Sequence, residues 1–402
     1  MPSSHGVVKG VTLAVAVGLA AAVAGADEPL SLLGGRLRLG GAVSGTIAPE
    51  DQGFFNYSDY EVSSLRLFRI DLAAEARLAR FASVLLDLRT DNLHEPRVYA
   101  LYLRLRPWTD REVDLQAGLV PPVFGAFPRR RYAYDNPLPS VPLVYQYLTD
   151  IREDAVPSRS EEIVAQRARG WQLRYPIGSK AASPGLPIVN AERWDAGVEL
   201  RVGREPLSLA LAVTQGTLAY PTVRDENGGK QVSGRLAWTP SPALVAGVSA
   251  AVGELLSQDV QDALPASSQG TYRQKALGLD VQWSAGYWVL RAEAVWSRFN
   301  LPAVDPTRLL DPLDALGLYG ELRYKLRPGL YLAGRAERLA FSNVPTALGP
   351  SSWDAPVTRV EAGAGWTPLR HLLAKASWQH NWRDGGRVRE NDLVAGQVVL
   401  WF

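Results

Sequence analysis

The sequence has 402 residues with no cysteine, 28 prolines and 36 glycines, and its 43 basic side chains nearly balance its 41 acidic ones. Without cysteine the chain can form no disulfide, thiolate metal site, cysteine nucleophile or lipid-modified N-terminal cysteine. A formal charge of +2 lacks the basic footprint of a nucleic-acid-binding domain, so we expect no nucleic-acid partner.

Residues 1–26 predict a cleaved export signal. Lys9 is followed by a small-residue apolar run from Val11 to Val23 and by the tripeptide Ala-Gly-Ala at 24–26, which is the order of a charged region, an apolar region and a cleavage site. The alternative is a retained membrane helix, but the run is shorter than the ~20 residues that a spanning helix needs. We expect a mature chain, residues 27–402, that is periplasmic, secreted or an outer-membrane barrel.

From about residue 32 onward, apolar side chains recur at every second position, which is the period of a β-strand. In one such segment, Trp194, Val198 and Val202 fall on one face while Glu199 and Arg201 fall on the other. A soluble β-sandwich alternates in the same way. We favour a membrane barrel because the polar faces carry both signs of charge in strand after strand, and because tryptophans lie near segment ends.

Short and long connections alternate along the chain, as periplasmic turns and extracellular loops do in outer-membrane barrels. Short turns are predicted near 80, 107–111, 203–206, 239–242, 284–286, 327–329 and 367–370, and longer connections near 46–63, 90–96, 124–191, 217–229, 256–271, 300–312, 343–355 and 384–390. The seven hairpins, a first strand near 32–47 and a last strand near 391–402 predict an all-β fold. It is a transmembrane antiparallel up-and-down β-barrel of about 16 strands, wide enough to enclose an aqueous channel.

The connection from Phe124 to Ala191 is much longer than any other and follows the fifth predicted strand. That strand ends Gln-Ala-Gly-Leu-Val-Pro-Pro-Val-Phe-Gly at 116–125. The segment is similar to the Gly-basic-x-x-x-Pro-Phe-Gly strand end of phosphate-selective porins, with Leu119 at the basic position and Val123 before Phe124. In general porins, which the chain resembles here, a long loop after the fifth strand folds into the lumen and narrows it. The resemblance implies a constriction loop over 124–191.

This loop has a local excess of positive charge. Eight Arg and one Lys between Phe124 and Asn190 oppose three Asp and three Glu, a net +3. One interpretation is a positive constriction that favours anions. The other is that the arginines pair with carboxylates of the lumen wall and fix the loop in place. The carboxylates available for such pairing are Asp71, Glu75, Glu199, Glu293, Glu321, Glu337 and Glu361.

We therefore select candidate pore residues from both the loop and the wall. They are Arg129, Arg130, Arg131, Tyr132 and Arg152 in the loop, and Glu321, Arg323, Arg359 and Glu361 on the wall. Tyr and Pro are frequent between residues 132 and 147, a composition that favours fixed turns and packed rings over a helix.

Signals for catalysis or metal binding are weak. His94 lies in a predicted loop, His371 at a short turn, and His380 on the apolar face of a late strand near Trp378 and Trp382. A barrel hydrolase would need His94 or His380 beside a serine, and placement at the membrane interface explains His380 without one. No two histidines share strand spacing with a carboxylate, so we expect no bound metal, no cofactor and no enzymatic activity.

The chain ends Val-Val-Leu-Trp-Phe at 398–402, an alternating apolar strand with an aromatic last residue. This ending resembles the terminal signature of bacterial outer-membrane proteins, whose final Phe is read by the barrel-assembly machinery. The resemblance implies that Phe402 is an assembly signal and that the partners are this machinery and outer-membrane lipid.

The combined prediction is a porin-like channel in the bacterial outer membrane. It would pass small polar or ionic solutes by diffusion and weakly favour anions. The alternatives are a surface-displayed structural or adhesive barrel without conductance and a barrel hydrolase, and a homo-oligomer is left open.

Overall fold

The computed structural model describes residues 29–59, 62–108, 111–302, 304 and 312–402. The predicted export signal at 1–26 lies outside the described residues. In the described part of the chain, no helix combines the length and the apolar character needed to cross a membrane.

Sixteen antiparallel strands form one closed barrel, as predicted. Each strand pairs with its sequence neighbours, and the last strand pairs with the first, where Trp401 lies opposite Ala42. The strands are β1 Leu37–Ile47, β2 Phe68–Ala79, β3 Ala82–Asp91, β4 Arg97–Leu105, β5 Glu112–Val120, β6 Asp195–Arg204, β7 Leu207–Thr214, β8 Gln231–Ser241, β9 Leu244–Glu254, β10 Arg273–Ala285, β11 Trp288–Phe299, β12 Leu313–Arg327, β13 Leu330–Phe341, β14 Val357–Leu369, β15 Leu372–Arg383 and β16 Glu390–Trp401.

The two ends of the chain meet where the barrel closes. The Phe402 N–H donates to the Gly41 carbonyl at 3.0 Å, and the Gly41 N–H donates to the Phe402 carbonyl at 3.2 Å. A β-carbon at Gly41 would lie 3.2 Å from the Phe402 ring and 2.6 Å from the Asp71 carbonyl oxygen, so this position needs glycine. Closure pairs both edges of each of the sixteen strands, which a bilayer requires. The role of Phe402 as an assembly signal stays a prediction.

The first strand starts later than predicted. A separate short strand, Leu30–Leu32, folds back onto β1 and pairs with Leu37–Leu39. Between them Leu33, Gly34 and Gly35 all have positive φ, at 53°, 64° and 84°. Glycine adopts this left-handed backbone readily, so the two glycines end the first extended segment in a tight turn.

The outer face of the barrel is apolar and is bounded by tryptophans. Side chains such as Leu211, Leu279 and Val398 are exposed on this face. Trp238, Trp283, Trp288 and Trp366 lie towards the short turns, and Trp296, Trp378 and Trp382 lie towards the long loops. Alternating strands with an apolar outer face and tryptophans at its borders fit a lipid bilayer, so the chain is an outer-membrane-type β-barrel.

The long connection between β5 and β6 folds into the lumen. It contains the 3₁₀-turns Phe127–Arg129 and Ala133–Asp135 and the single-turn helices Leu143–Gln146 and Ser160–Val164, and a further short helix, Gln258–Ala263, lies between β9 and β10. The predicted ring packing is present, since Phe127 and Tyr145 stack at 5.0 Å and Tyr132 and Tyr134 also at 5.0 Å, but the end of the segment 132–147 forms the single-turn helix Leu143–Gln146, which was not predicted. The largest apolar core therefore lies inside the barrel, where these loop residues bury one another and Trp353.

Candidate functional site

The long loop leaves β5 and enters the lumen at Phe124 and Gly125. Gly125 has φ 75°, and its N–H donates to Ser249 Oγ at 3.1 Å. A β-carbon here would lie 2.5 Å from both Glu293 Oε1 and the Tyr145 hydroxyl. The position therefore requires glycine both for its backbone conformation and for the close contact. This requirement accounts for the Phe-Gly that ends the porin-like segment.

Two of the three consecutive loop arginines anchor the loop to different parts of the wall. The Arg130 Nη1 donates to Glu321 Oε1 on β12 at 2.9 Å. Arg131 pairs with Asp87 on β3. Arg129 differs, because its side chain forms no ion pair or hydrogen bond with any residue in the described ranges.

The wall formed by β12–β14 meets the loop through a buried ion network. The Arg335 guanidinium has no exposed surface and lies 3.4 Å from Glu321, 2.8 Å from Glu337 and 2.9 Å from Glu361. Arg359 also pairs with Glu337, at 2.6 Å. Each carboxylate therefore has a cationic partner in a region that excludes water, which is the condition under which buried charges are tolerated.

The loop backbone bonds directly to this network. The Leu143 N–H donates to Glu337 Oε2 at 2.6 Å, Ser140 Oγ donates to Glu361, and Arg359 donates to the Val141 carbonyl. The candidate residues Glu321, Arg359 and Glu361 are thus buried at the contact between loop and wall.

Two further candidates lie apart from each other. Arg152 is buried within the loop itself, where it pairs with Asp154 at 2.7 Å and donates to the Leu173 and Ala181 carbonyls. Arg323 on β12 is half-buried, with its guanidinium 5.8 Å from the centre of the Tyr331 ring. The nine candidates therefore do not form one cluster.

Next to this wall, a gap of about 60 Å³ separates the loop from the strands β1–β3, β15 and β16. Five cationic side chains line this gap, with one carboxylate. They are Arg69, Arg89, Arg130, Arg131 and Lys375, and the carboxylate is Glu192. Tyr132 lines the gap as well, so three of the sequence-predicted residues meet here.

The wall arginines of the gap are held by several partners each. Arg89 lies 2.6 Å from Asp71 and 3.3 Å from Glu192, and its guanidinium stacks 3.7 Å from the Tyr99 ring centre. Arg69 lies 2.7 Å from Glu192. Burial by itself raises the pKa of Glu192, but the charges of Arg69 and Arg89 outweigh burial and lower it to about 2. Glu192 therefore stays ionised and offsets part of the positive charge.

Lys375 has a different set of partners. Its Nζ donates to the Ala133 carbonyl at 2.7 Å and to the Asn136 carbonyl at 2.9 Å, and it has no carboxylate partner among the described residues. Sequence reasoning did not select Arg69, Arg89 or Lys375. Strand alternation places all three on inward faces, but nothing local in the sequence indicates which inward cations the loop approaches.

Three openings follow the same side of the barrel. A pocket of about 410 Å³ lies at the long-loop end near the ends of β4 and β5. The gap comes next, and Tyr99 and Glu192 line both the pocket and the gap. At the short-turn end, a cavity of about 780 Å³ is lined by the charged side chains Arg77 and Arg104 among others. Of these three openings the gap has the smallest volume.

His380 lies on the outer face of β15. Its Nδ1 is 2.8 Å from Asp392 Oδ1, and Trp378 Nε1 donates to the same oxygen at 3.0 Å. Its cross-strand neighbours are Val360 and Asp392, and no hydrogen bond joins it to a serine in the described part of the chain. The cluster has the composition of a membrane-interface site, where rings and hydrogen-bonding groups are mixed.

No protein-family model matches the sequence, and no curated protein matches it either. Solved structures are similar in fold. The outer membrane channel DcaP of Acinetobacter baumannii has a TM-score of 0.56 at 11% identity, with 91% of this chain and 97% of that chain covered. Salmonella typhi OmpF, in a complex with daunomycin, has a TM-score of 0.54 at 13% identity, with 91% of this chain and 97% of that chain covered. An anion-selective porin from Comamonas acidovorans has a TM-score of 0.51 at 8% identity, with 91% of this chain and 99% of that chain covered.

Proposed function

We propose that the chain is a porin-like channel of the bacterial outer membrane that passes small polar or ionic solutes by diffusion. The observation that carries the proposal is the row of three openings along one side of the barrel, of which the gap beside Arg131 is the smallest. In such a lumen, width and the field of the lining charges together select the solute. The fold shared with porins agrees with this function.

The channel should favour anions weakly. Cations outnumber carboxylates along the gap, but Arg69 and Arg89 both bond to Glu192, so the uncompensated charge is small. Arg131 is 25% exposed at its side chain and Lys375 lacks a carboxylate partner in the described ranges, so these two cations contribute most of the preference. The phosphate preference implied by the segment at 116–125 stays a prediction, as does a homo-oligomer.

A second candidate is a barrel that displays its loops and does not conduct. The gap of about 60 Å³ favours this reading, because it holds only a few water molecules if each needs ~10–15 Å³. The apolar core that fills the long-loop end of the lumen also favours a barrel that does not conduct.

Recording in planar bilayers decides between the two candidates. Stepwise conductance, with a reversal potential of anionic sign in a salt gradient, supports the channel. A folded barrel that resists detergent until heated but never conducts supports the display function.

The variant Arg131→Gln tests which charges set the selectivity. Its reversal potential should move towards cations, because Asp87 loses its partner beside the gap. Arg298→Gln is the matched control, since Arg298 pairs with Asp314 at 2.7 Å on the outer face. Equal reversal potentials for the wild type and Arg131→Gln would contradict a selective role for Arg131.

A further inference from the structure

The pocket at the long-loop end has the size and lining of a small-molecule site. Its volume of about 410 Å³ lies within the usual range of ligand pockets, ~300–1,000 Å³. The side chains that line it include the rings of Tyr99, Trp194 and Tyr220 and the aliphatic Val98 and Leu119. Charged side chains such as Arg193 and Glu226 share the lining with these rings, and rings beside a few charged groups are typical of sites for organic molecules rather than for bare ions.

Some of the charges in this pocket are already occupied. Arg97 pairs with Asp91 at 2.7 Å. Glu192 is bonded to Arg69 at 2.7 Å and to Arg89 at 3.3 Å. These groups hold the pocket in shape and leave little charge for a ligand.

Two cations and one carboxylate in the lining remain available. Arg193 and Arg224 form no ion pair within the described part of the chain, and neither does Glu226. The free groups together carry one net positive charge. A ligand with a single negative charge matches that balance better than a dianion or a cation does.

An unpaired donor identifies where the ligand's polar group would bind. Trp194 is 7% exposed, and its buried Nε1–H has no hydrogen-bond partner among the described residues. Its ring is held by Tyr99 at 5.2 Å and Tyr102 at 6.2 Å between ring centres. A buried donor without a partner is costly, so an acceptor oxygen from a ligand would remove that cost.

We propose that this pocket binds a small monoanionic carboxylate with a flat apolar body, of which benzoate is the simplest example. The carboxylate accepts from the Trp194 Nε1–H and from Arg193 or Arg224, and the apolar body packs among the rings and aliphatic side chains. The inference rests on the proposed channel function and deepens it, because it makes the pocket the place where the solute is captured before the gap.

Calorimetry on the purified full chain in detergent micelles tests the pocket with three probes. Benzoate should bind more tightly than acetate, which lacks the flat body, and than benzyl alcohol, which lacks the charge. Trp194→Phe keeps a ring but loses the N–H, so benzoate should bind about tenfold more weakly, as expected for one hydrogen bond to a charged group. Trp296→Phe, on the outer face, is the matched control and should bind as the wild type does.

Two further variants separate charge from fold. Combined Arg193→Gln and Arg224→Gln should abolish benzoate binding, whereas Arg338→Gln on the outer face should not. If Trp194→Phe fails to show the heat-dependent gel shift of a folded barrel, Val223→Trp replaces it, because Val223 lines the pocket from the connection between β7 and β8 and a larger ring there should weaken benzoate binding. Wild-type affinity in the double arginine variant, or equal affinity for all three probes, would overturn the proposal.

Conductance in potassium chloride distinguishes this inference from the channel function. A conducting barrel that does not bind benzoate overturns the pocket proposal and leaves the channel. Benzoate binding without conductance supports the pocket and overturns the channel.

Discussion

The long loop contacts the barrel wall on two sides that use the same residue types differently. Against β12–β14, the Arg335 side chain is 0% exposed and shares three glutamates. Against β1–β3 and β15, the Arg131 side chain is 25% exposed, and Lys375 bonds only to backbone carbonyls. The first side anchors the loop and the second borders a path. Pairing with carboxylates, rather than the number of charges, decides whether a charge supports the structure or filters a solute.

The largest effect is expected from removing the central cation of the anchoring side. Arg335→Met leaves Glu321, Glu337 and Glu361 without their shared partner, and breaking a buried ion network typically costs about 3–5 kcal/mol. We expect the free energy of unfolding in micelles to fall by that amount, measured by denaturant titration. Arg338→Gln, outward on the same strand, should change it by less than about 0.5 kcal/mol. Equal stability of both variants would mean that the network does not anchor the loop.

A smaller effect is expected from the corresponding change beside the gap. Lys375→Met removes the hydrogen bonds from the ammonium to the Ala133 and Asn136 carbonyls, but it also removes the desolvation cost of a buried charge, so the net loss of stability should be only about 1–2 kcal/mol. We expect a modest loss of stability together with a reversal potential shifted towards cations. Arg335→Met should alter stability far more than selectivity. A Lys375→Met channel with unchanged selectivity would remove the distinction between the two sides.

The smallest effect concerns pH and the contact between the long loop and the connection 342–356. Asp354 is fully buried, and burial raises its pKa to about 6. Burial, the nearby Asp354 charge and a hydrogen bond with the Asp354 side chain also raise the pKa of Asp150. Arg383 and Arg167 oppose these shifts.

Because the folded-state pKa of Asp354 exceeds its unfolded value, its protonation stabilises this contact in acid, and that contribution is lost as the pH rises from about 4 to about 6. The melting temperature of the wild type should therefore fall across this window. Asp354→Asn does not titrate, so its decline should be shallower, whereas the exposed Asp259→Asn should follow the wild type. A steeper decline in Asp354→Asn would show that the pair is not protonated in the folded state.

The sequence predicted which wall residues face the lumen and which connection enters it. The inward positions of Glu321 and Glu361 follow from period-two patterning, and the constriction loop after the fifth strand follows from its length and from the Phe-Gly at 124–125. The charge of the loop predicted two roles for its arginines, a positive constriction that favours anions or pairing with carboxylates of the wall, and did not choose between them. The structure gives Arg130 and Arg131 wall carboxylates as partners and leaves Arg129 without one in the described ranges.

The sequence by itself determined the class of fold, the sixteen strands and their hairpins, because alternation and turn composition are local properties that each segment carries without its neighbours. Only the tertiary structure decided that the loop packs tightly against β12–β14 and leaves a gap lined by cations beside β1–β3, β15 and β16. That choice depends on the path of the loop, which brings residues together over long sequence separations, as between Lys375 and Ala133 or between Arg335 and Ser140. Contacts of this kind leave no periodic pattern, since the energy that selects them comes from burial and pairing in the assembled barrel.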